Sequence, residues 1–258
     1  MKGIIYYFSA TGNTKWAANK FKDNFKKEDI VVEVKSMEKA DNIDIAGYDF
    51  IVIGTPVHAE AAPKFVMDFI DKLPEGQGIK AIVYSTQGAN SAAAADIISD
   101  VLEKKGYTIM VQTYIKISNN YYFGVGKEPT LEKITKNLSE AEKKISRVTS
   151  EFIKGNQYKN CVSLIRIAMG KISGKSFNRY LPKISTKLTS TDECTKCGLC
   201  LRNCPHKNIT FENGHAVFHT YCMMCTRCIH ICPKNAIRYK GKKIKQTQKS
   251  MIKALNLR

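Results

Sequence analysis

The sequence lacks any uninterrupted apolar run of the length that a membrane-spanning helix needs. It also lacks the features of a secretory signal, because the apolar run at residues 3–8 after Lys2 is too short and no small-residue cleavage site follows it. We therefore expect a cytoplasmic protein without a transmembrane segment. The 258 residues, of which 43% are hydrophobic, suffice for one large domain or two smaller ones with real cores.

Two common phosphate-binding motifs are missing from FSATGNTKW, the loop that precedes the first amphipathic segment. A Walker sequence needs paired glycines and then Lys-Ser/Thr, but here Lys15 is the third residue after Gly12. One glycine is also too few for a dinucleotide fingerprint. The hydroxyl groups of Ser9, Thr11 and Thr14, with the loop amides, can instead surround the phosphate of a phosphomonoester. The alternative is an ordinary helix N-cap.

Acidic residues are scarce in the second half of the chain. Residues 1–150 contain 20 Lys and Arg against 19 Asp and Glu, a net charge of +1. Residues 151–258 contain 21 Lys and Arg against 4 Asp and Glu, a net charge of +17. This asymmetry predicts two electrostatic units with a boundary near residue 151.

Cysteine is nearly absent outside one segment, since eight of the nine cysteines lie between Cys194 and Cys232. They form two copies of C-x2-C-x2-C-x3-C-P, CTKCGLCLRNCP and CMMCTRCIHICP, offset by 28 residues. Zinc sites use separated C-x2-C pairs and disulfide frameworks suit secreted chains, so both alternatives explain the pattern less well than iron–sulfur clusters do. The ninth cysteine, Cys161, is expected to be a small apolar core residue.

The doubled cysteine pattern resembles that of bacterial two-cluster ferredoxins over residues 190–240, a small α+β fold. The resemblance implies that the fourth cysteine of each repeat binds the cluster of the other repeat. The implied ligands are Cys194, Cys197, Cys200 and Cys232 for one 4Fe-4S cluster, and Cys222, Cys225, Cys228 and Cys204 for the other. Between the repeats, Asn213-Gly214 predicts a type I′ hairpin, and Ile209 and Ile237 are expected to pack over the clusters from opposite sides.

The first half of the chain alternates apolar runs with helical patterns. The apolar runs lie at residues 3–8, 30–34, 50–54, 79–84 and 108–117, and the helical patterns lie at residues 13–25, 63–72, 91–104 and 129–153. This order predicts an α/β unit with a mainly parallel sheet. Such sheets bind ligands beyond the carboxyl ends of their strands.

Polar loops follow these strands, and their sequences resemble those of flavodoxins over residues 1–153. Ser-x-Thr-Gly-Asn-Thr follows the first strand, Gly-Thr-Pro the third and Ser-Thr-x-Gly the fourth. The resemblance implies a flavodoxin-like five-stranded parallel sheet in the order 2-1-3-4-5, with FMN at the switch point. It assigns the FMN phosphate to Ser9, Thr11, Gly12, Asn13 and Thr14, and the surroundings of the flavin ring to Thr55, Pro56, Val57, His58, Thr86, Gln87, Gly88, Ala89, Asn119 and Tyr121.

Neither loop beside the flavin ring, after the third or the fourth strand, contains the aromatic residue that commonly stacks on the flavin in flavodoxins. His58, Tyr121 or Tyr122 is expected to take that place. The one tryptophan, Trp16, lies early in the first helix and is expected to serve packing. The remaining histidines, expected at the surface or next to the cluster ligands, are His206, His215, His219 and His230.

Over its whole length the chain resembles flavodoxin–ferredoxin fusion proteins of anaerobic bacteria and archaea. The resemblance implies an FMN- and iron–sulfur-dependent oxidoreductase or electron-transfer protein, in which two 4Fe-4S clusters relay single electrons between an external partner and FMN. Expected partners are acidic carriers such as ferredoxin or flavodoxin, or a redox enzyme. A small-molecule substrate at FMN is left open, because no side chain presents itself as a general acid, base or nucleophile. The predicted parts are an FMN-binding domain at residues 1–153, a basic linker at 154–189, a two-cluster domain at 190–240 and a basic tail at 241–258.

A second class of function is a redox-sensing binding module. Its basic segment at residues 159–187 and its tail would hold nucleic acid or an acidic membrane surface. The same charge can steer acidic electron carriers, and we therefore do not favour nucleic acid as a partner. Within that segment, Gly170, Gly174 and Pro182 predict that no single long helix forms.

Overall fold

The computed structural model describes residues 1–40, 43–88 and 92–257 and forms two compact units. The first comprises Met1–Ser9, Asn13–Ser118 and Thr130–Lys175, and the second comprises Ala10–Gly12, Asn119–Pro129 and the chain from Ser176 onward. Two short internal segments therefore belong to the same unit as the cysteine repeats. The domain boundaries drawn from the sequence stay a prediction. Among the described residues, no helix is long and apolar enough to cross a membrane.

The first unit is built on a parallel sheet. Its strands are β1 (Lys2–Tyr7), β2 (Val31–Ser36), β3 (Phe50–Pro56), β4 (Lys80–Gln87), β5 (Thr108–Lys116) and β6 (Tyr158–Lys159). Their order is β2-β1-β3-β4-β5-β6, so the predicted order of the first five strands is confirmed. The sixth strand extends the sheet beyond the prediction and pairs parallel to β5. Its two residues are too few to show an alternation in the sequence.

Four helices connect these strands, and all four predicted helical patterns are confirmed. They are α1 (Asn13–Lys26), α2 (Lys64–Asp71), α3 (Ala94–Lys104) and α4 (Leu131–Ile153). The buried residues of α1 include Ala17, Phe21 and Phe25, whose spacing puts them on one helix face. α4 begins after Thr130, whose side-chain oxygen accepts a hydrogen bond from the backbone N–H of Lys133 and caps the helix.

Three phenylalanines join two of these helices to the sheet. The ring of Phe25 on α1 lies 4.9 Å from that of Phe50 on β3 and 5.8 Å from that of Phe152 on α4. The rings of Phe50 and Phe152 are also 4.9 Å apart, and all three side chains are buried. This aromatic group holds α1 and α4 against the sheet.

A fifth helix, α5 (Leu164–Ser185), is continuous over 22 residues. The expectation that no single long helix forms here is wrong. Gly170 and Gly174 are buried in α5, and the close packing that they allow offsets the roughly 1 kcal/mol that each costs in a helix interior. Pro182 lies in the last turn, so the helix ends soon after it instead of breaking at it.

The second unit contains short elements arranged around the cysteine repeats. They are β7 (Leu188–Ser190), α6 (Leu199–Arg202), β8 (Ile209–Glu212), β9 (His215–Phe218), α7 (Arg227–Ile231), β10 (Ile237–Tyr239), β11 (Lys242–Lys243) and α8 (Lys249–Lys253). The predicted hairpin is confirmed, because β8 pairs antiparallel with β9. Asn213 and Gly214 at its turn have φ values of 48° and 81°, as a type I′ turn requires. A second small sheet has the order β11-β10-β7.

The aromatic group of the first unit generates a stability prediction. Replacing Phe25 with Ala should lower the free energy of unfolding of this unit by about 3–5 kcal/mol, because a buried ring is removed and a cavity is left. Urea unfolding followed by far-UV circular dichroism measures the change. Leu131→Ala is the control, because Leu131 is 83% exposed and should change stability by less than about 0.5 kcal/mol. Equal stability of the two variants would contradict the assigned core.

Candidate functional site

The cysteine repeats surround two cavities in the second unit. One cavity is lined by Cys204, Cys222, Cys225 and Cys228. The other is lined by Cys194, Cys197, Cys200 and Cys232. Each cavity therefore collects three cysteines of one repeat and the fourth cysteine of the other, and these are the two sets named from the sequence.

The backbone of the two repeats follows the same path. Four pairs of residues, each pair 28 positions apart, share a positive φ between 47° and 74°. The pairs are Lys196 and Met224, Gly198 and Thr226, Lys207 and Asn235, and Asn213 and Gly241. Left-handed residues between right-handed neighbours turn successive N–H groups toward one point, an arrangement that suits anions such as iron–sulfur clusters.

Backbone N–H groups also donate directly to three cysteine sulfurs. Asn208 N–H donates to Cys204 Sγ and Ala236 N–H donates to Cys232 Sγ, each at 3.3 Å. These two cysteines are the fourth members of their repeats. Met224 N–H donates to Cys222 Sγ, also at 3.3 Å. Such bonds stabilise sulfur that carries negative charge, and they are one means of setting a cluster's potential.

Burial makes the thiols of these cavities poor acids. It raises the pKa of Cys200 and Cys222 to about 11 and that of Cys225 to about 12, and it raises the pKa of Cys228 well above its ordinary value. The thiolate forms that bind metal therefore need a cationic centre beside them. Within the described part of the chain, no three Cys, His, Asp or Glu side chains stand close enough to hold one metal ion. Four soft sulfur donors around each cavity fit an iron–sulfur cluster.

Two isoleucines line these cavities on the side of the hairpins. Ile209, on β8, lines the first cavity, and Ile237, on β10, lines the second. Both are buried in the apolar core of the second unit. Their equivalent positions after the two Cys-Pro pairs therefore correspond to equivalent places in the structure, as the repeat predicted.

In the first unit, the start of α1 meets the end of β4. The hydroxyl oxygens of Thr14 and Thr86 lie 2.8 Å apart, and both residues are buried. The hydroxyl of Tyr84 donates to the backbone oxygen of Thr14. Asn13 Nδ2 donates to the backbone oxygen of Ser118 at 3.2 Å. The structure therefore brings together predicted site residues from two distant loops.

The ends of β3 and β4 lie side by side. Thr55 pairs in register with Ser85, and Pro56 pairs with Thr86. Gln87 is buried and its Oε1 accepts a hydrogen bond from the hydroxyl of Ser85. The other predicted residues of these loops are Val57 and His58, which are partly exposed, Gly88, which is exposed, and Ala89, which lies outside the described residues.

His58 opens a tight turn. Its N–H donates to the backbone oxygen of Ala61 at 2.9 Å, and Ala61 returns the bond. The two residues inside the turn, Ala59 and Glu60, have positive φ values of 47° and 74°. This turn fixes the position of His58 at the end of β3.

Tyr121 and Tyr122 belong to the second unit and pack into its core. The ring of Tyr121 lies 5.0 Å from that of Phe123, which in turn lies 5.4 Å from that of Tyr239. The hydroxyl of Tyr122 donates to the backbone oxygen of Lys245. Asn119 orders the same loop, because its side chain bonds to the backbone of residues 121 and 125. These aromatic contacts explain why the loop carries consecutive aromatic residues.

Asn120 is the most connected side chain of that loop, and the sequence did not single it out. Its Nδ2 donates to Thr11 Oγ1 at 2.6 Å, and its Oδ1 accepts from Thr247 Oγ1 at 2.9 Å and from Gln248 Nε2. Its backbone oxygen lies 3.0 Å from His230 Nε2. One buried amide therefore links residue 11, α7 and the segment before α8.

Arg227 is a second residue that the sequence did not distinguish from the other cations. Its Nε donates to the backbone oxygen of Ala10 and its Nη1 to that of Asn203, at 2.8 and 2.9 Å. The side chain is buried, and its positive charge opposes the rise that burial causes in the pKa of Cys225. Beside it, Gly12 has a φ of 101°, and an added Cβ would collide with the carbonyl of Met251.

Cys161 is exposed, so the prediction that it is a small apolar core residue is wrong. Gln112 Nε2, on β5, lies 3.6 Å from Cys161 Sγ. His230 is buried next to two predicted ligands, and burial lowers its pKa. The place of His230 between Cys228 and Cys232 in the sequence had indicated a position next to the cluster ligands.

The polar groups at the start of α1 fit a phosphorylated ligand such as FMN. Thr11 Oγ1 accepts from Asn120, so its own proton is free to be donated elsewhere. The Thr14–Thr86 contact uses one of two hydroxyl protons and leaves the other. Asn13 Oδ1 is buried without a partner among the described atoms, and a ribityl hydroxyl can donate to it. The N-terminus of α1 adds a favourable dipole for phosphate.

The fold and these cavities define an α/β redox domain joined to an iron–sulfur domain, and comparisons with known proteins agree. A family model described as a flavodoxin domain matches residues 4–108, and one described as a 4Fe-4S dicluster domain matches residues 186–249. A flavodoxin of Maridesulfovibrio salexigens is 31% identical over 119 residues, covering 42% of this chain and 81% of the relative. The chain belongs to the flavodoxin family through its N-terminal part and carries a 4Fe-4S domain in its C-terminal part.

Solved structures of flavodoxins are also similar. A flavodoxin from the domain Archaea is 21% identical, with a TM-score of 0.46, and covers 58% of this chain and 98% of its own length. Flavodoxin 2 from Bacillus cereus is 21% identical, with a TM-score of 0.46, and covers 60% of this chain and 99% of its own length. The family assignment makes the chain an electron-transfer protein that uses FMN and iron–sulfur chemistry.

The Asn120 network generates a prediction about local stability. Asn120→Ala removes three side-chain hydrogen bonds, two of them buried, and should lower local stability by about 1–3 kcal/mol. Amides of residues 247–252 should then exchange about 5- to 150-fold faster in hydrogen–deuterium exchange.

The matched control is Asn119→Ala, which removes bonds within its own loop only. Exchange in the 247–252 peptide should be unchanged in that variant. If both variants accelerate the peptide equally, Asn120 is not the residue that holds the tail.

Proposed function

We infer that the chain exchanges single electrons with an external redox partner through two 4Fe-4S clusters and passes them to or from FMN. The observation that supports this function is the presence of one complete set of four cysteines around each of two cavities, in a chain with a flavodoxin domain. When bound, FMN exchanges one or two electrons and each cluster exchanges one. A chain with both groups adapts two-electron to one-electron chemistry, and the covalent link keeps the two at high effective concentration.

In this proposal the cysteine ligands cross between the repeats. Cys194, Cys197, Cys200 and Cys232 hold one cluster, and Cys222, Cys225, Cys228 and Cys204 hold the other. The N–H groups of Asn208 and Ala236 stabilise charge on the two crossing sulfurs, at 3.3 Å each. Because both crossing cysteines receive such a bond, the two clusters should have similar surroundings at this ligand.

Residues of the first loop hold the FMN phosphate in this proposal. The free hydroxyl protons of Thr11 and of the Thr14–Thr86 pair donate to it, and the N–H groups around Gly12 approach it. Asn13 accepts a hydrogen bond from the ribityl chain. The neighbouring ends of β3 and β4 flank the flavin ring, with Thr55, Pro56, Val57 and His58 on one strand end and Thr86, Gln87 and Gly88 on the other. Ala89, which lies outside the described residues, is proposed from the sequence alone. Asn119 and Tyr121 are proposed to approach the ring from the following loop.

The charge of the chain supports an acidic redox partner. Residues 151–258 carry a net charge of +17, and a cationic surface raises the association rate of acidic carriers such as ferredoxin or flavodoxin. Reduction of a small molecule at FMN is compatible with the same site. In that case the residues proposed around the flavin supply orientation and hydrogen bonds.

The phosphate loop generates the first functional prediction. Thr11→Ala with Thr14→Ala should weaken FMN binding by about 2–6 kcal/mol, because two donors to a charged phosphate are lost at about 1–3 kcal/mol each. Fluorescence titration of the deflavinated protein with FMN measures the affinity. Thr130→Ala, a threonine at the start of α4, is the control and should bind FMN normally. Unchanged affinity in the double variant would remove the loop from the proposal.

The proposed crossing of cysteine ligands between the repeats generates the second functional prediction. Cys204→Ala should reduce iron from about eight to about four atoms per chain in anaerobically purified protein, because one cluster loses a ligand. Its electron paramagnetic resonance spectrum should match that of Cys225→Ala, from the other repeat, and differ from that of Cys197→Ala, from its own.

Cys161→Ala is the control for the loss of any cysteine, since Cys161 lies outside both repeats and is exposed. Iron content should stay at the level of the unaltered chain, and all four variants should retain FMN. A Cys204→Ala spectrum that matches Cys197→Ala would show that each repeat holds its own cluster.

A further inference from the structure

The first three turns of α5 expose their large apolar side chains. Leu164 is 82% exposed, Ile165 is 75% exposed, Met169 is 54% exposed and Ile172 is 67% exposed. At 100° per residue, Ile165, Met169 and Ile172 lie within about 60° of one another around the helix. These three residues form a continuous apolar stripe. We call this stripe, together with Leu164, the outer face of α5. An exposed apolar stripe of this kind is typical of an interaction surface.

The opposite face of this helix segment holds it to the first unit through small residues. A Cβ added to Gly170 would come within 2.9 Å of Ala93 Cβ, and one added to Gly174 would come within 2.8 Å of Ala61 Cβ. Ile167 packs into the same small apolar cluster. α5 therefore reverses the usual arrangement of a surface helix, in which large apolar residues face the core.

An ion pair fixes the orientation of the segment. Arg166 Nη2 lies 2.7 Å from Glu60 Oε2. Glu60 sits in the tight turn after His58, and its backbone oxygen accepts a hydrogen bond from Ala93 N–H. Rotation of α5 to bury its outer face would break this pair and would place Ile165 or Ile172 where only a glycine fits. The exposure of the outer face is thus built into the packing of the helix.

The charge next to the outer face is entirely positive within the helix. Lys171 and Lys175 lie on one flank of the apolar stripe by helical geometry, and both are exposed. Lys171 is 3.3 Å from Asp100, but both side chains are about half exposed and the pair is weakened by solvent. Between Glu151 and Asp192 the chain has eight Lys and Arg and no acidic residue.

We propose that the outer face of α5 docks on an anionic lipid bilayer. An apolar stripe flanked by lysines can insert its side chains at the level of the acyl chains while the ammonium groups meet lipid phosphates and carboxylates. A second copy of this chain is a poor occupant, because its outer face carries the same positive charge. The proposal concerns a surface of the first unit and does not depend on the cofactor assignments.

The test measures binding of the full chain, purified with its cofactors, to sedimented vesicles. The vesicles contain phosphatidylcholine alone or with about one third phosphatidylserine. Wild-type protein should bind the anionic vesicles and bind the neutral ones far more weakly. Ile165→Glu with Ile172→Glu should reduce the partition coefficient at least about tenfold, because two inserted side chains become charged. Lys171→Gln with Lys175→Gln should reduce it about fivefold per lysine.

The matched control is Leu131→Glu with Val31→Glu. These residues are 83% and 64% exposed, belong to the same unit and undergo the same change in charge, but lie on α4 and β2. This variant should bind anionic vesicles like wild type. Far-UV circular dichroism checks that all variants are folded.

Three results would overturn the proposal. The first is equal binding of wild-type protein to neutral and anionic vesicles, or to neither. The second is equal loss of vesicle binding in the control and in the α5 variant. The third is dimerisation, or binding of an acidic ferredoxin, that the α5 variant abolishes while vesicle binding is unaffected, because the outer face would then serve a protein partner.

Discussion

The central constraint on the second unit is that neither cysteine repeat can complete a cavity by itself. Cys204 lines the cavity of the second repeat and Cys232 lines that of the first. The chain between them must therefore return on itself, and the β8–β9 hairpin makes that return. Because burial raises the pKa of the thiols of Cys225 and Cys228, their thiolate forms need a cationic centre beside them.

The same unit includes parts of the chain that are distant in sequence. Residues 10–12 and 119–129 belong to it, and buried polar groups account for this. Arg227, between two cysteines, donates to the backbone oxygen of Ala10, and Asn120 bonds to Thr11 and to the segment before α8. The bonds from Arg227 to Ala10 and from Thr247 to Asn120 are buried, so removal of one partner leaves an unsatisfied group. Residues 10–12, in the middle of the loop proposed for the FMN phosphate, therefore belong to the same unit as the cysteine repeats.

In the first unit, α5 packs through glycines and not through large side chains. Gly170 and Gly174 allow α5 to approach the unit closely, and this approach leaves the larger residues of the helix outside. In ordinary surface helices the apolar stripe provides the packing energy. Here the small cluster around Ala93 provides the packing, the ion pair of Arg166 with Glu60 sets the orientation, and the apolar stripe is available for another partner.

The sequence by itself determined what repeats and periodicities record. The alternation of apolar runs and helical patterns predicted a parallel α/β unit, and the resemblance to flavodoxins implied its strand order. The cysteine repeats, through their resemblance to two-cluster ferredoxins, implied the two sets around the cavities, and Asn213-Gly214 predicted the hairpin. Only the tertiary structure decided the roles of Asn120 and Arg227, the exposure of Cys161, the short strand β6 and the continuity of α5. The physical reason is that these features depend on contacts between residues far apart in the chain. A buried asparagine or a packed glycine looks, in sequence, the same as one in a loop.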